Sequence, residues 1–212
     1  MKEFHERHLP HIQPLGGLFF VTYVLKGSIP KNVITQWQIE REIKKSIILK
    51  ESVDIKNDLE KLGKLEFARQ DKFLDTYTGG NHHLKNDSLA QIVVNTLHYW
   101  DNKRLELYAY TIMSNHVHVV FRLFDKHETI KPYYLQQIMH SIKLFSAREC
   151  NRILGLSGAF WEEESYDRLV RNKDELKRIL VYVLNNPVKA GLCDKMNDWK
   201  WSYIKPEYND FW

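Results

Sequence analysis

Cysteine is almost absent from this chain: of 212 residues, only Cys150 and Cys193 carry a thiol. They stand far apart and in no CxxC spacing, which excludes a disulfide framework and a thiolate zinc site and predicts buried or idle thiols. Long apolar runs are absent too. Nothing approaches the roughly 18 consecutive apolar residues of a membrane span, so a soluble protein is expected. Residues 1–14 contain acids and histidines but no apolar stretch followed by a small-residue cleavage site, which reads against a secretory signal and predicts a cytoplasmic location. No fixed-period repeat or low-complexity tract is present, which argues against solenoid and disordered architectures.

What is present is the composition of a globular domain, 43% hydrophobic and 27% charged. The length suits a single domain, residues 1–212, carrying an insertion. A net charge of +4 and a pI near 8.9 are compatible with a polyanionic partner but do not by themselves define one.

Residues 16–27, GGLFFVTYVLKG, are aromatic and β-branched between glycines and predict a first buried strand. Residues 31–75 are charged and helix-favouring. Ile39, Ile43, Ile47 and Ile48 fall on one face, followed by Leu59, Leu62, Leu65 and Phe67, which predicts two helices. A polar TYTGGNHHLKND loop then closes an inserted helical segment placed at residues 31–86. Asp87 is expected to N-cap a helix with Leu89, Ile92, Val93, Leu97 and Trp100 on its buried face, ending at Asp101 and Asn102.

Two strands, RLELYAYTIM and HVHVVFRLF, follow as a hairpin turned at Ser114 and Asn115. After Pro132, helical periodicity runs through Leu135, Ile138, Ile142 and Phe145. A glycine-containing loop, GLSGAFWEEESY, comes next. A last helix from Lys173 is expected to stop at Asn186 and Pro187, because proline supplies no amide and disfavours helix at the residue before it. This order of elements predicts an α+β fold, an antiparallel sheet covered by helices, with the ferredoxin-like arrangement as the leading candidate.

His116 and His118, two apart on a strand, project from the same face and can converge on one cation. The alternative is that one packs and the other is solvated. Tyr182 and Asn186, four apart on a helix, share a face and set a phenol one turn from an amide oxygen. Taken singly, Tyr182 reads equally as a core tyrosine and Asn186 as a helix cap. Together, an oxygen ligand beside two imidazoles suits Mg²⁺ or Mn²⁺, and a phenol beside such a cation can attack a phosphodiester and keep it as a covalent intermediate.

Four blocks in this order, MSNHVHVV, IMHSIK, FWEEESYDRLVR and YVLNNPVKAGL, span most of residues 105–201 and resemble the HUH-type single-tyrosine transposases, especially the REP-associated branch. Ser114 stands where proline is common in that family, and GGLFF where a Gly-Thr-x-Tyr signature is frequent. The resemblance implies a ferredoxin-like catalytic domain that nicks and rejoins single-stranded DNA at hairpins through a 5′-phosphotyrosine. It implies His116 and His118 as the metal-binding pair around hydrophobic Val117, Tyr182 as nucleophile and Asn186 as third ligand. Tyr166, beside Asp167, is the rival phenol, but it lacks a helix-spaced amide.

Lys143, Arg148, Arg168, Arg171, Lys177 and Lys189 are candidate phosphate contacts, and Trp161 a candidate base-stacking platform. Glu162, Glu163 and Glu164 read as a loop facing away from DNA. Two competing functions remain open, a non-catalytic hairpin-binding protein and a metal hydrolase using water, as does the choice between monomer and homodimer. For a DNA partner, the expected cytoplasmic location extends to the nucleoid.

Overall fold

The computed structural model describes residues 4–6, 10–12, 14–125 and 133–211, with residues 4–6, 10–12 and Phe211 described by backbone alone. Pro132 and Trp212 lie outside the described residues. The chain divides into two compact units, Met1–Lys26 with His82–Trp212, and Gly27–Asn81.

The first unit is built on β3 (Leu18–Leu25), α3 (Asp87–Trp100), β4 (Leu105–Ile112), β5 (His116–Leu123), α4 (Leu135–Leu154), β6 (Trp161–Leu169), α5 (Lys173–Lys189) and β7 (Ser202–Ile204). A two-stranded antiparallel ribbon, β1 (Phe4–Glu6) with β2 (Pro10–Ile12), precedes them. The main sheet is antiparallel throughout, in the order β6-β3-β5-β4-β7. Its first four strands, taken in chain order β3, β4, β5, β6, give the spatial order 4-1-3-2 of a ferredoxin-like sheet, with β7 added at the far edge.

All eight residues of β3 are buried, so its side chains fill both faces of the sheet. Phe19, Val21, Tyr23 and Leu25 join Val117, Val119 and Phe121 of β5 in the apolar core under α3 and α4. Alternation turns Phe20, Thr22, His116 and His118 to the opposite face, which α5 covers. β4 carries a bulge between Leu107 and Ala109. Tyr108 is the extra residue there, so Leu105, Leu107, Tyr110 and Ile112 all reach the α3–α4 core.

Three sequence expectations need correction. Trp161 to Tyr166, read as the end of a loop, belong to an edge strand, Trp161–Leu169, paired with β3. Its acidic stretch is held because Lys143 Nζ donates to the carbonyls of Glu162, Glu163 and Glu164 at 3.0, 3.0 and 3.3 Å. The last helix does not stop at Asn186 but runs to Lys189 with Pro187 inside it. The missing amide falls in the final turn, where it costs one bond, to the Val183 carbonyl, and the helix closes beyond it with Ala190 N donating to Asn186 O at 3.0 Å. Asn86, not Asp87, caps α3, accepting from Ser88 N at 2.9 Å.

Burial follows the expected faces only in part. In α4, Ile138, Met139, Ile142, Ser146 and Cys150 face the core while Phe145 is 54% exposed. The Gly27–Asn81 unit is a helical hairpin of α1 (Lys31–Glu51) and α2 (Ile55–Thr76), the two helices expected. Its helices meet through polar and aromatic contacts: Trp37 against Phe73 at 5.4 Å, the Arg69 guanidinium 4.8 Å over Trp37, and ion pairs from Arg69 to Glu40 and Arg41 to Glu66. The isoleucine stripe of α1 is not buried, since Ile39, Ile43 and Ile47 are all exposed. Ser28 Oγ donates to Asn81 O at 2.8 Å and closes the neck of the hairpin. Gly80 is required there, because it takes φ +82° and a Cβ would meet the Gly27 carbonyl at 2.7 Å.

Candidate metal and nucleophile site

β5 begins at His116, directly after the tight turn, so its first and third side chains are the two imidazoles on the α5 face. Both are fully buried. Their Nε2 atoms approach to 3.1 Å, and each Nδ1 is held by a polar neighbour, His116 by Asn115 Oδ1 and His118 by Thr22 Oγ1, both at 2.7 Å. An imidazole anchored at one nitrogen presents the other in a fixed direction, the arrangement that supports metal ligation. Thr22 owes its place to register: it lies opposite His118 on β3, and Thr111 lies opposite His118 on β4.

α5 is fastened at its start. Asn172 caps it by accepting from Glu175 N at 2.9 Å, and the buried Glu175 accepts from Arg171 N at 2.9 Å and pairs with Arg168 at the end of β6. Such a cap contributes about 1 kcal/mol. The helix then lays Tyr182 against the histidines, its ring 5.6 Å from that of His118 and edge-on to it. Phe20 sits among them, 5.7 Å from His118, 5.8 Å from Tyr182 and 6.1 Å from Tyr166. The Lys189 ammonium lies 4.9 Å over the Tyr182 ring.

Asn186, one turn beyond Tyr182, is fully buried, and neither polar atom of its side chain has a hydrogen-bond partner among the described residues. Burying a bare amide costs about 1–3 kcal/mol, so this side chain is kept for something other than stability. Two imidazoles whose Nε2 atoms converge offer a donor pair that suits a divalent cation. The residues present therefore fit a bound metal ion.

Tyr166 lies on β6 opposite Thr22, and burial pushes its phenol up to about 12. Of the basic candidates, Lys189 alone touches the Tyr182 ring in the contacts described. Arg148 is exposed on α4, Arg171 is exposed before α5, and Lys177 is exposed on α5 but five residues from Tyr182, on a different side of the helix. Arg168 is tied to Glu175, and Lys143 to the β6 carbonyls, where burial pulls its ammonium down to about 8. Trp161 is no exposed platform. It is buried, donates to Ser146 Oγ at 3.0 Å and packs 4.7 Å from Tyr23.

A cavity of about 780 Å³ opens between α4 and β6, lined by Met139, Lys143, Phe160 and Trp161 among others, and includes none of the four candidate site residues. Both thiols are free, and burial holds Cys150 up at about 12. Among the described residues no helix is long and apolar enough to cross a membrane.

Sequence reading missed Thr22, Asn115 and Phe20, whose places depend on strand register and turn geometry. It also passed over Arg178, exposed one turn before Tyr182 on the same helix stripe. That position was legible from the i, i+4 spacing.

The fold and site together define an α+β protein with a paired-histidine centre faced by a helix-borne tyrosine and amide. The chain is similar to a Haemophilus influenzae protein named as a REP-associated tyrosine transposase, with 24% identity over 104 residues, 46% of this chain and 57% of that one. The chain thus matches somewhat over half the length of this relative. A solved structure of a REP-associated tyrosine transposase bound to a REP hairpin aligns over 95% of this chain and 82% of its own, with 16% identity and a TM-score of 0.48. No family model matches.

Proposed function

We propose that this chain is a metal-dependent nuclease and strand transferase that cuts single-stranded DNA at hairpins and holds the 5′ phosphate on Tyr182. The observation that carries this reading is the contact of the Tyr182 ring with His118, whose Nε2 converges with that of His116. The similarity to the Haemophilus influenzae relative supports it.

His116, His118 and Asn186 would hold Mg²⁺ or Mn²⁺. The cation, when bound, polarises a phosphate oxygen and offsets the charge that develops as the phenol attacks. Tyr182 supplies the nucleophile: its phenolic oxygen bonds to phosphorus, the bond from phosphorus to the 3′ oxygen breaks, and that oxygen leaves with the electron pair and takes up a proton. The phosphotyrosine keeps a phosphoester bond in hand, so attack by a 3′ hydroxyl reverses the step and rejoins a strand. A phenol with an ordinary pKa near ~10 is a weak nucleophile at neutral pH. The ammonium of Lys189 over the ring sets a positive charge where a phenolate gains from it. Phe20 fixes the ring against His118, and the cap and ion pair at the start of α5 fix the helix. Arg148, Arg171, Lys177 and Lys189, all exposed, are the proposed phosphate contacts, and binding through them weakens with salt.

The test is incubation with single-stranded hairpins and Mn²⁺, followed by mass spectrometry of the trapped adduct. The expected result is a nucleotide on Tyr182 and at least about a 10³-fold loss of adduct in Tyr182→Phe. A nucleotide on Tyr166, or cutting by Tyr182→Phe as fast as by the parent, overturns the assignment. Hairpin binding without any adduct favours the non-catalytic reading.

A further inference from the structure

We infer that Arg178 grips the phosphate next to the one that Tyr182 attacks, so that a single strand is held along α5 by two cations, Arg178 before the phenol and Lys189 beyond it. This rests on reading Tyr182 as the nucleophile and single-stranded DNA as the substrate.

Helical geometry sets the three side chains in one line. At about 100° per residue, Arg178 lies about 40° and Lys189 about 20° from Tyr182 around the helix, with Arg178 about 6 Å before it along the axis and Lys189 about 10 Å after it. Arg178 and Lys189 are exposed and Tyr182 is half-buried, so the line runs along the edge of the covered face. One of the two cations already touches the phenol ring, since the Lys189 ammonium lies 4.9 Å over it.

Arg178 differs from other exposed cations in that no carboxylate claims it. Lys200 is tied to Asp87 at 2.6 Å and Arg152 to Glu149 at 3.0 Å. Asp174 stands one turn before Arg178, the spacing at which an acid and an arginine pair on a helix, yet among the described residues no ion pair joins them. A guanidinium keeps its charge and offers its donors in a rigid planar fork that matches two oxygens of one phosphate. Asp174 also bounds the path: its carboxylate repels a phosphate, so the strand leaves the helix beyond Arg178 instead of following α5 to its start. Attack by a phenol needs the phosphorus in line with it, and a strand gripped at the next phosphate cannot slide past.

The experiment uses the full chain, Mn²⁺ and a DNA hairpin with a single-stranded flank, selected for cleavage by the parent and resynthesised with one phosphate at a time replaced by an uncharged methylphosphonate. Adduct formation is timed for the parent, Arg178→Ala and Arg178→Lys. On unmodified DNA, Arg178→Ala should be about tenfold slower or more, with Arg178→Lys between it and the parent. For the parent, a methylphosphonate beside the scissile phosphate should cost about the same factor of ten; for Arg178→Ala it should cost nothing further, because the group it would have met is gone. Replacement at other phosphates should slow both proteins alike, a pattern that loss of structure does not produce. An Arg178→Ala that reacts like the parent, or that loses the same factor as the parent at every phosphate, overturns the inference and leaves Tyr182 as nucleophile. A parent that forms no adduct with any hairpin overturns the inference and the proposed function together. If Arg178→Ala fails to fold, Arg178→Lys decides by the same comparison, with a smaller penalty than the parent at the neighbouring phosphate expected and an equal one overturning the inference.

Discussion

The two faces of the central sheet are made from the same strands, yet they are filled on different terms. Between the sheet and helices α3 and α4, residues such as Phe19, Val21, Leu97, Val119 and Phe121 form an apolar core with relative exposure near zero. Beneath α5 the same strands present Thr22, His116 and His118, equally buried but polar, beside an amide with no hydrogen-bond partner among the described residues. One face yields stability from burial alone. The other accepts desolvation of polar groups and keeps each in a defined direction, which is what a reacting site requires.

Substitutions on the two faces should separate stability from chemistry. His116→Ala with His118→Ala should abolish metal-dependent adduct formation, by on the order of 10³-fold, in a protein that still folds. Leu97→Ala on the other face should cost about 2–5 kcal/mol in urea unfolding while the folded fraction keeps its adduct yield per molecule. If the double histidine variant still forms adduct in a metal-dependent way, the division between the faces is lost.

Asn186→Leu sharpens the contrast further. Replacing an amide that lacks hydrogen bonds by an apolar side chain of similar size should leave the melting temperature unchanged or raised, while Mn²⁺ affinity and adduct yield fall about 10- to 100-fold. A drop in melting temperature with affinity intact would make Asn186 a structural residue.

The smallest expected effect concerns Lys143, whose ammonium is buried against the β6 carbonyls and pulled down to about 8 from an ordinary 10.5. The folded state gives up this proton before the unfolded state does, so stability rises with pH between about 8 and 10.5. Comparing the parent with Lys143→Met by urea unfolding, the parent should gain about 1 kcal/mol relative to the variant between pH 7 and pH 9. A difference that does not change with pH would show that Lys143 is not desolvated in the fold.

The sequence made the α5 face partly legible. A two-residue period placed His116 and His118 together, and a four-residue period placed Tyr182 with Asn186, because both regularities are local. Thr22 and Phe20 escaped, since which residue of β3 meets His118 depends on pairing across 96 positions of chain. β6 escaped because three successive glutamates resemble a solvated loop. Its strand character depends on β3 alongside and on Lys143 reaching in from α4. β7 is three residues long, too short for alternation to register. The isoleucines of α1 misled for the opposite reason: their spacing is that of a buried stripe, but the hairpin packs through Trp37, Phe73, Arg41 and Arg69 instead.

The bulge in β4 acts as a change of phase. Leu105 and Leu107 occupy odd positions and Tyr110 and Ile112 even ones, so no unbroken alternation could send all four to the same side; the additional residue at Tyr108 resets the count midway. The same reset aims Thr111 at His118. A binary code with one inserted symbol reads correctly only on either side of the insertion. A chain without this bulge therefore matches β4 only across a one-residue gap; without the gap, every later β4 residue is assigned to the wrong side of the sheet.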